Sequence, residues 1–270
     1  MSAKLLLIDG LNLVRRLYEA IPGEDSRAKA EGALRTSLSA FRRTLDAHHP
    51  SHVLAAFDHG GATWRHEIYA PYHQKRPPMP EALRAALPEL REELTRRGVP
   101  SLSPPGIEAD DVIAALHGHW RQQIGNAPVV IVSTDKDLVS LVADGATVWN
   151  YFERDRAPWR DAAWIEKKFG VGPALMQDLL ALAGDSSDNI AGVPGVGEKT
   201  AARWLRQFGS LDNVIANADA IAGKVGERLR ENLGAVRLAR QLVAFKTDMK
   251  LGLTWKDLRW YTKPSLALAS

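Results

Sequence analysis

Short apolar runs alternate with amphipathic stretches through the first 150 residues. The runs are four to six residues long and end at polar or turn-forming positions, which predicts buried β-strands. The stretches between them repeat apolar residues every three or four positions, which predicts helices. This alternation is typical of a parallel sheet with helices on both faces. The predicted strands are residues 4–8, 52–57, 99–102, 128–132 and 146–149, the last of them at a sheet edge.

After residue 157 the apolar spacing is helical throughout. We therefore predict an α/β core over residues 1–157, a helical part over residues 158–254 and a tail over residues 255–270. Trp255 and Trp260 in the tail are expected to pack back on the body. The helices predicted in the second part are residues 162–169, 174–182, 198–208, 211–217, 226–233 and 236–245.

Composition narrows the class of protein. The chain has 270 residues and no cysteine, which excludes disulfides, thiolate metal sites and cysteine nucleophiles. No run approaches the ~18 apolar residues of a membrane span, and Asp9 interrupts the first apolar run too early for a signal peptide. We expect a cytoplasmic protein without a membrane partner. The net charge is +3, and residues 198–250 hold ten Lys or Arg against six Asp or Glu, which favours contact with a polyanion.

Acidic residues follow four of the predicted strands. Ligands of an open parallel sheet bind beyond the carboxyl ends of its strands, so these acids are expected to meet in one place. Their repulsion would raise their pKa values, and bound Mg²⁺ or Mn²⁺, which prefer oxygen ligands, would relieve it. Asp185 and Asp188 would add a second cluster if their loop folds back. The acids at the strand ends are Asp9, Asp58, Glu108, Asp110, Asp111, Asp135 and Asp137.

The acids at positions 108–111 have a second interpretation. They precede an apolar stretch with helical spacing, and carboxylates stabilise the first turn of a helix, so they could simply cap it. Each acid alone favours a cap, whereas independent caps have no reason to follow four successive strands. Covalent phosphoryl transfer fits less well, because Asp9-Gly10-Leu11 lacks the second acid of an Asp-x-Asp sequence.

A glycine-rich turn at residues 192–200 lies between two predicted helices. It is not a P-loop, because Glu198 occupies the position that requires lysine. We predict a helical hairpin whose glycines let the backbone approach a phosphate. Lys199 and Arg203, four residues apart, would add positive charge to one face. A plain helical turn is the alternative.

Aromatic and basic side chains interleave in residues 59–80, a stretch without regular periodicity that starts directly after Asp58. The aromatic side chains could stack on unpaired bases while the basic ones meet phosphates. Alternatively, the aromatic side chains pack into the core. The residues concerned are Trp64, Tyr69, Tyr72, Arg65, Lys75 and Arg76.

Taken together, these sequences resemble the 5′-nuclease (flap endonuclease) family. The chain is similar to the N-terminal nuclease domain of bacterial DNA polymerase I, and its plan is that of the stand-alone flap endonucleases of the exonuclease IX type. The resemblance runs from about Leu5 to Asp248. It rests on Ile8-Asp9-Gly10, Phe57-Asp58, Arg65-His66-Glu67, Glu108-Ala109-Asp110-Asp111, Ser133-Thr134-Asp135-Lys136-Asp137-Leu138, Gly184-Asp185-Ser186-Ser187-Asp188-Asn189 and Gly195-Val196-Gly197-Glu198-Lys199-Thr200-Ala201.

The resemblance implies a parallel-sheet 5′-nuclease (PIN-like) core, an arch-like segment over residues 59–80 and a helix–three-turn–helix motif. It implies a DNA nuclease that acts on 5′ flaps and 5′ ends of branched DNA with two Mg²⁺ ions, for which Mn²⁺ substitutes. The ligands implied for the first ion are Asp9, Asp58, Glu108 and Asp110, with Asp111 close by, where it could instead only orient bound water. Those implied for the second ion are Asp135, Asp137, Asp185 and Asp188.

The resemblance also implies one K⁺ ion in the turn at residues 182–200, where it bridges to a phosphate of the downstream duplex. The main-chain carbonyls at the matching positions are those of Leu182, Ala183, Ala191, Val193 and Val196. The matching DNA-contacting residues are Gly195, Val196, Gly197, Glu198, Lys199 and Thr200, to which Arg203 adds charge. We expect Arg76 and Lys75 to stabilise phosphoryl charge, Tyr72 to stack on a frayed base, and the protein to act as a monomer.

One position departs from the family pattern. The usual arch sequence is Tyr-Lys-x-x-Arg, and here it is Tyr72-His73-Gln74-Lys75-Arg76. A neutral histidine neutralises less phosphate charge at pH 7 than lysine does. This change leaves open a weakly active or inactive protein that binds branched DNA. The other alternative is a PIN-type ribonuclease, which shares a cluster of acids at its strand ends.

Overall fold

The computed structural model describes residues 2–261, which form a mixed α/β unit with helices on both faces of one sheet. The sheet has the order β3-β2-β1-β4-β5-β6, and within the described residues only β6 runs antiparallel to its neighbour. The strands are β1 Leu5–Asp9, β2 His52–Ala56, β3 Ser101–Leu102, β4 Val129–Val132, β5 Ala146–Trp149 and β6 Trp159–Arg160.

Helices cover the sheet and continue beyond it. Those interspersed with the strands are α1 Gly10–Glu19, α2 Arg27–His48, α3 Trp64–Ile68, α4 Glu81–Arg96 and α5 Ala109–Gln123. Those that follow the sheet are α6 Ala162–Phe169, α7 Met176–Ala183, α8 Glu198–Phe208, α9 Leu211–Ala216, α10 Gly223–Glu231 and α11 Leu233–Val243. Short 3₁₀ turns cover Asp137–Asp144, Tyr151–Glu153, Pro173–Leu175 and Ala218–Ala220.

Strand β1 shows why the sheet is buried on both faces. Its side chains alternate, so Leu5 and Leu7 pack into one hydrophobic cluster and Leu6 and Ile8 into the other. All four are fully buried. A continuous apolar run is therefore what a central parallel strand requires, and the predicted parallel sheet is confirmed.

Two predictions about the sheet are wrong. Residues 146–149 were expected at an edge, but β6 pairs with β5 on its outer side, with Val148 opposite Arg160. Residues 159–160 were expected in the helical part, yet they form that strand. A two-residue strand carries no detectable periodicity, which is why the apolar pattern does not show it.

The segment at residues 59–80 is more regular than its sequence indicates. It contains the short helix α3, whose N-terminus is capped by a reciprocal capping box between Thr63 and His66.

At the other end of the chain, Trp255 packs edge-on against Trp120 with ring centroids 5.0 Å apart, and Trp260 packs against the second cluster, as predicted. Residues 262–270 of the predicted tail lie outside the described part. None of the described helices combines the length and apolar character needed to cross a bilayer.

Candidate metal and nucleic-acid site

The carboxyl ends of β1, β2 and β4 meet the N-terminus of α5 at one edge of the sheet. Asp9 ends β1 and is 5% exposed. Its Oδ2 accepts a hydrogen bond from Ser133 Oγ (2.8 Å), just beyond β4, and its Oδ1 accepts one from the backbone N–H of Asn12 (3.2 Å). The strand ends predicted to meet are therefore joined by direct contacts.

Asp58, just beyond β2, binds the start of α5. Its Oδ1 accepts the backbone N–H of Ala109 at 2.8 Å. Glu108 stands at the N-cap position of α5, but its side chain makes no capping hydrogen bond. The carboxylate of Asp58, which follows β2, thus caps this helix, and the side chain of Glu108 has no part in the cap.

Asp110 lies among the other acids of this edge. Burial raises its pKa well above the ordinary value, and the charges of Asp135, Asp9, Asp137 and Asp58 raise it further. Burial and the charge of Asp58 likewise raise the pKa of Asp9 to about 7, although the hydrogen bond from Ser133 opposes this. Repulsion within such a cluster opposes folding when its members are ionised, and either bound protons or a bound cation relieves it.

A second acid group adjoins the first. One carboxylate oxygen each from Asp137, Asp185 and Asp188 lie within 4.8 Å of one another. Burial, and then the charge of Asp135, raises the pKa of Asp137 well above its ordinary value. Lys136, which lies between Asp135 and Asp137 in the sequence, places its Nζ 3.1 Å from Asp185 Oδ2. Its positive charge therefore offsets part of the negative charge of this acid group.

The donor set fits divalent cations. Asp137 Oδ1 is buried and has no hydrogen-bond partner among the described residues. An unpartnered buried carboxylate oxygen is costly, and a cation that accepts oxygen ligands would satisfy it. The two groups that would hold such cations are Asp9, Asp58, Glu108 and Asp110, and Asp135, Asp137, Asp185 and Asp188.

Asp111 does not belong to this site, and its prediction as a possible metal ligand is wrong. It is fully buried, and both of its oxygens are occupied. Arg65 binds it in a bidentate manner (2.9 and 3.0 Å), while Trp64 Nε1 (2.8 Å) and the backbone N–H of Lys246 (2.9 Å) donate to it as well. Asp111 therefore holds structure together and does not face a cation.

Arg65 is likewise not available to DNA, so its prediction as a phosphate contact is wrong. It is 3% exposed, and its guanidinium is surrounded by protein oxygens. The ring of Trp64 lies 4.4 Å from the guanidinium carbon, so this aromatic side chain also packs inward.

Tyr72 is buried at 4% exposure, which favours the core alternative for this aromatic residue. Its hydroxyl donates to Glu108 Oε2 at 3.1 Å, and its ring stacks on that of His73 with centroids 3.7 Å apart. In this arrangement Tyr72 orients a predicted metal ligand and is not exposed for stacking on a base.

His73 and Arg76 face the second acid group. His73 Nε2 lies 3.4 Å from Asp188 Oδ1, and the His73 backbone has a positive φ of 59°. Arg76 Nη2 donates to the same Asp188 oxygen at 2.8 Å. Lys75 is exposed. Of the three basic groups at residues 73–76, two thus lie beside the acids.

The turn between α7 and α8 is held by close backbone contacts. A side chain at Gly192 would lie 2.3 Å from the Gly184 nitrogen and 2.5 Å from the Leu182 oxygen. The Val193 N–H donates to Leu182 O, and the Val196 N–H donates to Val193 O, both at 2.9 Å. The segments whose carbonyls were predicted to hold K⁺ are therefore in contact, and the role of those carbonyls stays a prediction.

The hairpin tip presents backbone and charge to solvent. Gly195, Gly197, Glu198, Lys199 and Arg203 are exposed, Thr200 is partly so, and Val196 is buried. Gly195 has a φ of +78°. Because α8 starts at Glu198, the N–H groups of Glu198 and Lys199 have no partner within the helix and remain for an anion, whereas the Thr200 N–H donates to Gly197 O at 3.0 Å.

Arg228 of α10 was missed by the sequence analysis. Its Nη1 donates to Pro194 O at 3.3 Å and would lie 2.3 Å from a side chain at Gly195. An exposed guanidinium therefore covers the hairpin tip. No local sequence pattern marks this arginine, since it lies 34 positions after its partner Pro194. The role of Lys136, in contrast, could have been found from the sequence, because this lysine lies within the motif at residues 133–138.

Known proteins agree with this architecture. Residues 4–170 match the 5′-3′ exonuclease N-terminal resolvase-like domain, and residues 171–265 match the 5′-3′ exonuclease C-terminal SAM fold. The chain is 39% identical over 256 residues to a Shewanella loihica protein named flap endonuclease Xni, covering 95% of this chain and 96% of that protein. A Psychromonas ingrahamii protein of the same name is 35% identical over 262 residues, covering 96% of this chain and 98% of that protein.

Solved structures share the fold. The T5 D15 protein co-crystallised with metal ions superposes with a TM-score of 0.71 at 22% identity, covering 89% of this chain and 88% of that one. The catalytic core of Rad2 in complex with DNA gives a TM-score of 0.53 at 16% identity, covering 92% and 81%. Both matched domains and the identity along nearly the whole chain lead to one conclusion: the chain belongs to the 5′-3′ exonuclease family and is a nuclease of the flap endonuclease type.

Proposed function

We propose that the protein is a Mg²⁺-dependent, structure-specific nuclease that hydrolyses phosphodiester bonds at 5′ flaps and 5′ ends of branched DNA. The observation that carries this proposal is that two clusters of acidic side chains meet at one edge of the sheet. Charges from both clusters raise the pKa of Asp110. Two divalent cations held there by these carboxylates would activate the attacking water and stabilise the leaving oxygen. The products are a 5′-phosphate and a 3′-hydroxyl.

The chain's own residues orient and neutralise the reacting phosphate. Tyr72 and Thr63 hold the two oxygens of Glu108, at 3.1 and 2.8 Å. Arg76 places a positive charge beside Asp188, where a phosphate drawn to the cations held by the acid groups would meet it. Lys136 adds a second positive charge beside Asp185.

The helical part supplies the grip on duplex DNA. The hairpin tip with Lys199, Arg203 and Arg228 presents positive charge and free N–H groups to a backbone phosphate, with K⁺ held by the carbonyls of the turn. A T5 flap endonuclease of the same fold has been solved in complex with DNA and metal ions, which supports the same partners here. We propose that the protein acts as a monomer.

A labelled 5′-flap substrate with Mg²⁺, tested beside matched single-stranded RNA, separates the possible functions. Cleavage at the flap junction with RNA left intact supports the proposal. Flap binding without cleavage would identify an inactive branched-DNA binder, and preferential cleavage of RNA would identify a PIN-type ribonuclease. EDTA should stop cleavage, and added Mg²⁺ or Mn²⁺ should restore it.

Replacing His73 by lysine is expected to raise the rate of flap cleavage at neutral pH. The lysine ammonium would then face Asp188 and the reacting phosphate in place of an imidazole, which is charged only when protonated. Single-turnover rates at pH 7 for the wild type and His73→Lys measure the effect. Replacing Lys75 by glutamine is the comparison, since Lys75 is exposed. An unchanged or lower rate in His73→Lys would contradict this role for position 73.

Replacing Arg228 by glutamine is expected to weaken flap binding and to reduce the slope of log Kd against log salt concentration by about 1, as for one lost phosphate contact. The single-turnover rate at saturating DNA should stay unchanged. Fluorescence anisotropy across a salt series measures the slope. Arg206→Gln is the control, because Arg206 donates to Gly170 O at 2.7 Å, away from the hairpin tip. Equal slopes for Arg228→Gln and wild type would remove Arg228 from the DNA surface.

A further inference from the structure

Arg65 has more partners than any surface role requires. Its Nε donates to Leu242 O at 2.7 Å, and its Nη2 donates to Ala244 O at 3.0 Å. Its two terminal nitrogens also bind both oxygens of Asp111. Nη1 lies 3.1 Å from Glu108 Oε2. The planar guanidinium can serve all these oxygens at once because its donors point in fixed directions.

These partners come from parts of the chain far apart in sequence. Arg65 lies on α3, its carboxylate partners begin α5, and its two carbonyl partners lie at the end of α11. The last carbonyls of a helix lack partners within it and carry partial negative charge. Helix α11 in turn packs against α7, which leads into the loop that holds Asp185 and Asp188.

Glu108 is therefore held on three sides. Thr63 binds Oε1, Tyr72 binds Oε2, and the Arg65 charge lies beside that same Oε2. Two of these residues flank α3, and the third is fixed by the end of α11. Buried charges of this kind add little net stability, so a network this complete is better explained by the geometry it imposes.

We propose that Arg65 is a positioning residue that orients Glu108 toward the acid cluster and fixes it relative to the end of α11. The proposal rests on the proposed function, in that Glu108 is taken as a ligand of the first cation. Arg65 itself touches neither DNA nor the reacting atoms. Arg65 thereby fixes the position of the Glu108 carboxylate relative to the helical part, which is proposed to bind the duplex.

The test replaces Arg65 by lysine, which keeps the positive charge but loses the planar guanidinium with its donors in fixed directions. Arg65→Lys is expected to weaken Mn²⁺ binding in the absence of DNA by about tenfold and to lower the single-turnover rate at fixed Mn²⁺ by a similar factor, as for loss of a residue that orients a metal ligand. The Kd for flap DNA in EDTA should stay nearly unchanged. Arg240→Gln is the matched control, because Arg240 joins α11 to Asp178 of α7 at 3.0 Å without touching Glu108.

Wild-type Mn²⁺ affinity in Arg65→Lys would overturn the proposal. So would a parallel loss of thermal stability, flap binding and Mn²⁺ binding in Arg65→Lys, since that pattern shows a purely structural role. If Arg65→Lys does not fold, Asp111→Asn, which keeps the shape of the partner, is measured in the same way and judged by the same two outcomes. The Mn²⁺ measurement needs no cleavage, so failure of the wild type to cut flaps would sink the proposed function separately.

Discussion

Asp110→Ala is expected to abolish flap cleavage, with a loss of at least about a thousandfold, while flap binding in EDTA is retained. Loss of ~4 kcal/mol of transition-state stabilisation corresponds to this factor. Asp110 lies among acids of both groups, so its removal disturbs both predicted cation sites, whereas the hairpin proposed to bind DNA is formed by other residues. Single-turnover assays and anisotropy measure the two effects. A fully active variant would refute the site assignment.

The same variant should be more stable than the wild type when divalent cations are absent. The folded pKa of Asp110 lies well above that of an unfolded aspartate, so above about pH 4 its carboxylate opposes folding, and the cost is complete above the folded pKa. Thermal unfolding in EDTA at pH 8 should therefore show a higher midpoint for Asp110→Ala.

The neighbouring substitution Asp111→Ala is the matched comparison and should act in the opposite direction. It leaves the buried Arg65 guanidinium without its bidentate partner. Removing one partner of a buried ion pair costs about 3–5 kcal/mol. If both variants shifted the unfolding midpoint in the same direction, the different roles assigned to these two adjacent acids would be wrong.

Gly192→Ala is expected to have the second large effect, a loss of flap binding together with a loss of about 1–3 kcal/mol of stability, as for overpacking. The new methyl group would meet backbone atoms, the Gly184 nitrogen at 2.3 Å and the Ala183 carbonyl carbon at 2.4 Å, so no side chain can rotate out of the way. The turn would have to open, which separates the carbonyls predicted to hold K⁺.

Urea unfolding and anisotropy with flap DNA measure these effects. Gly197→Ala is the control for stability, because no atom lies within 4 Å of the position of its methyl group. A stable Gly192→Ala variant with wild-type flap binding would show that the turn tolerates an opening of this size, and the K⁺ proposal would lose its structural basis.

The fold was largely predictable from the order of apolar residues. The central strands are buried on both faces, so their sequences are continuously apolar, and the parallel sheet follows from the helical stretches between them. Helix α8 was predicted with its observed bounds, because a glycine precedes it and Gly209 ends it in the left-handed region. The short strand β6 and helix α3 were not predicted, since their formation depends on β5 and on the burial of Arg65.

The acids at the strand ends were identified from the sequence because chain direction alone brings the ends of parallel strands to one edge. What the sequence leaves open is which acid faces that edge. Asp110 and Asp111 are neighbours on α5, where successive side chains point about 100° apart around the helix axis. One of the two must face the cleft and the other the interior, and either arrangement satisfies the local pattern.

Only the tertiary structure decides between them. Arg65 approaches from α3, 46 positions earlier in the chain, and together with the end of α11 it surrounds Asp111 with donors. Asp110 remains among carboxylates, where a bound cation would offset its charge. The sequence by itself determined the five parallel strands, the hairpin and the supply of acids. The packing of distant helices determined which carboxylate became part of the core, because a buried charge needs its partner in contact.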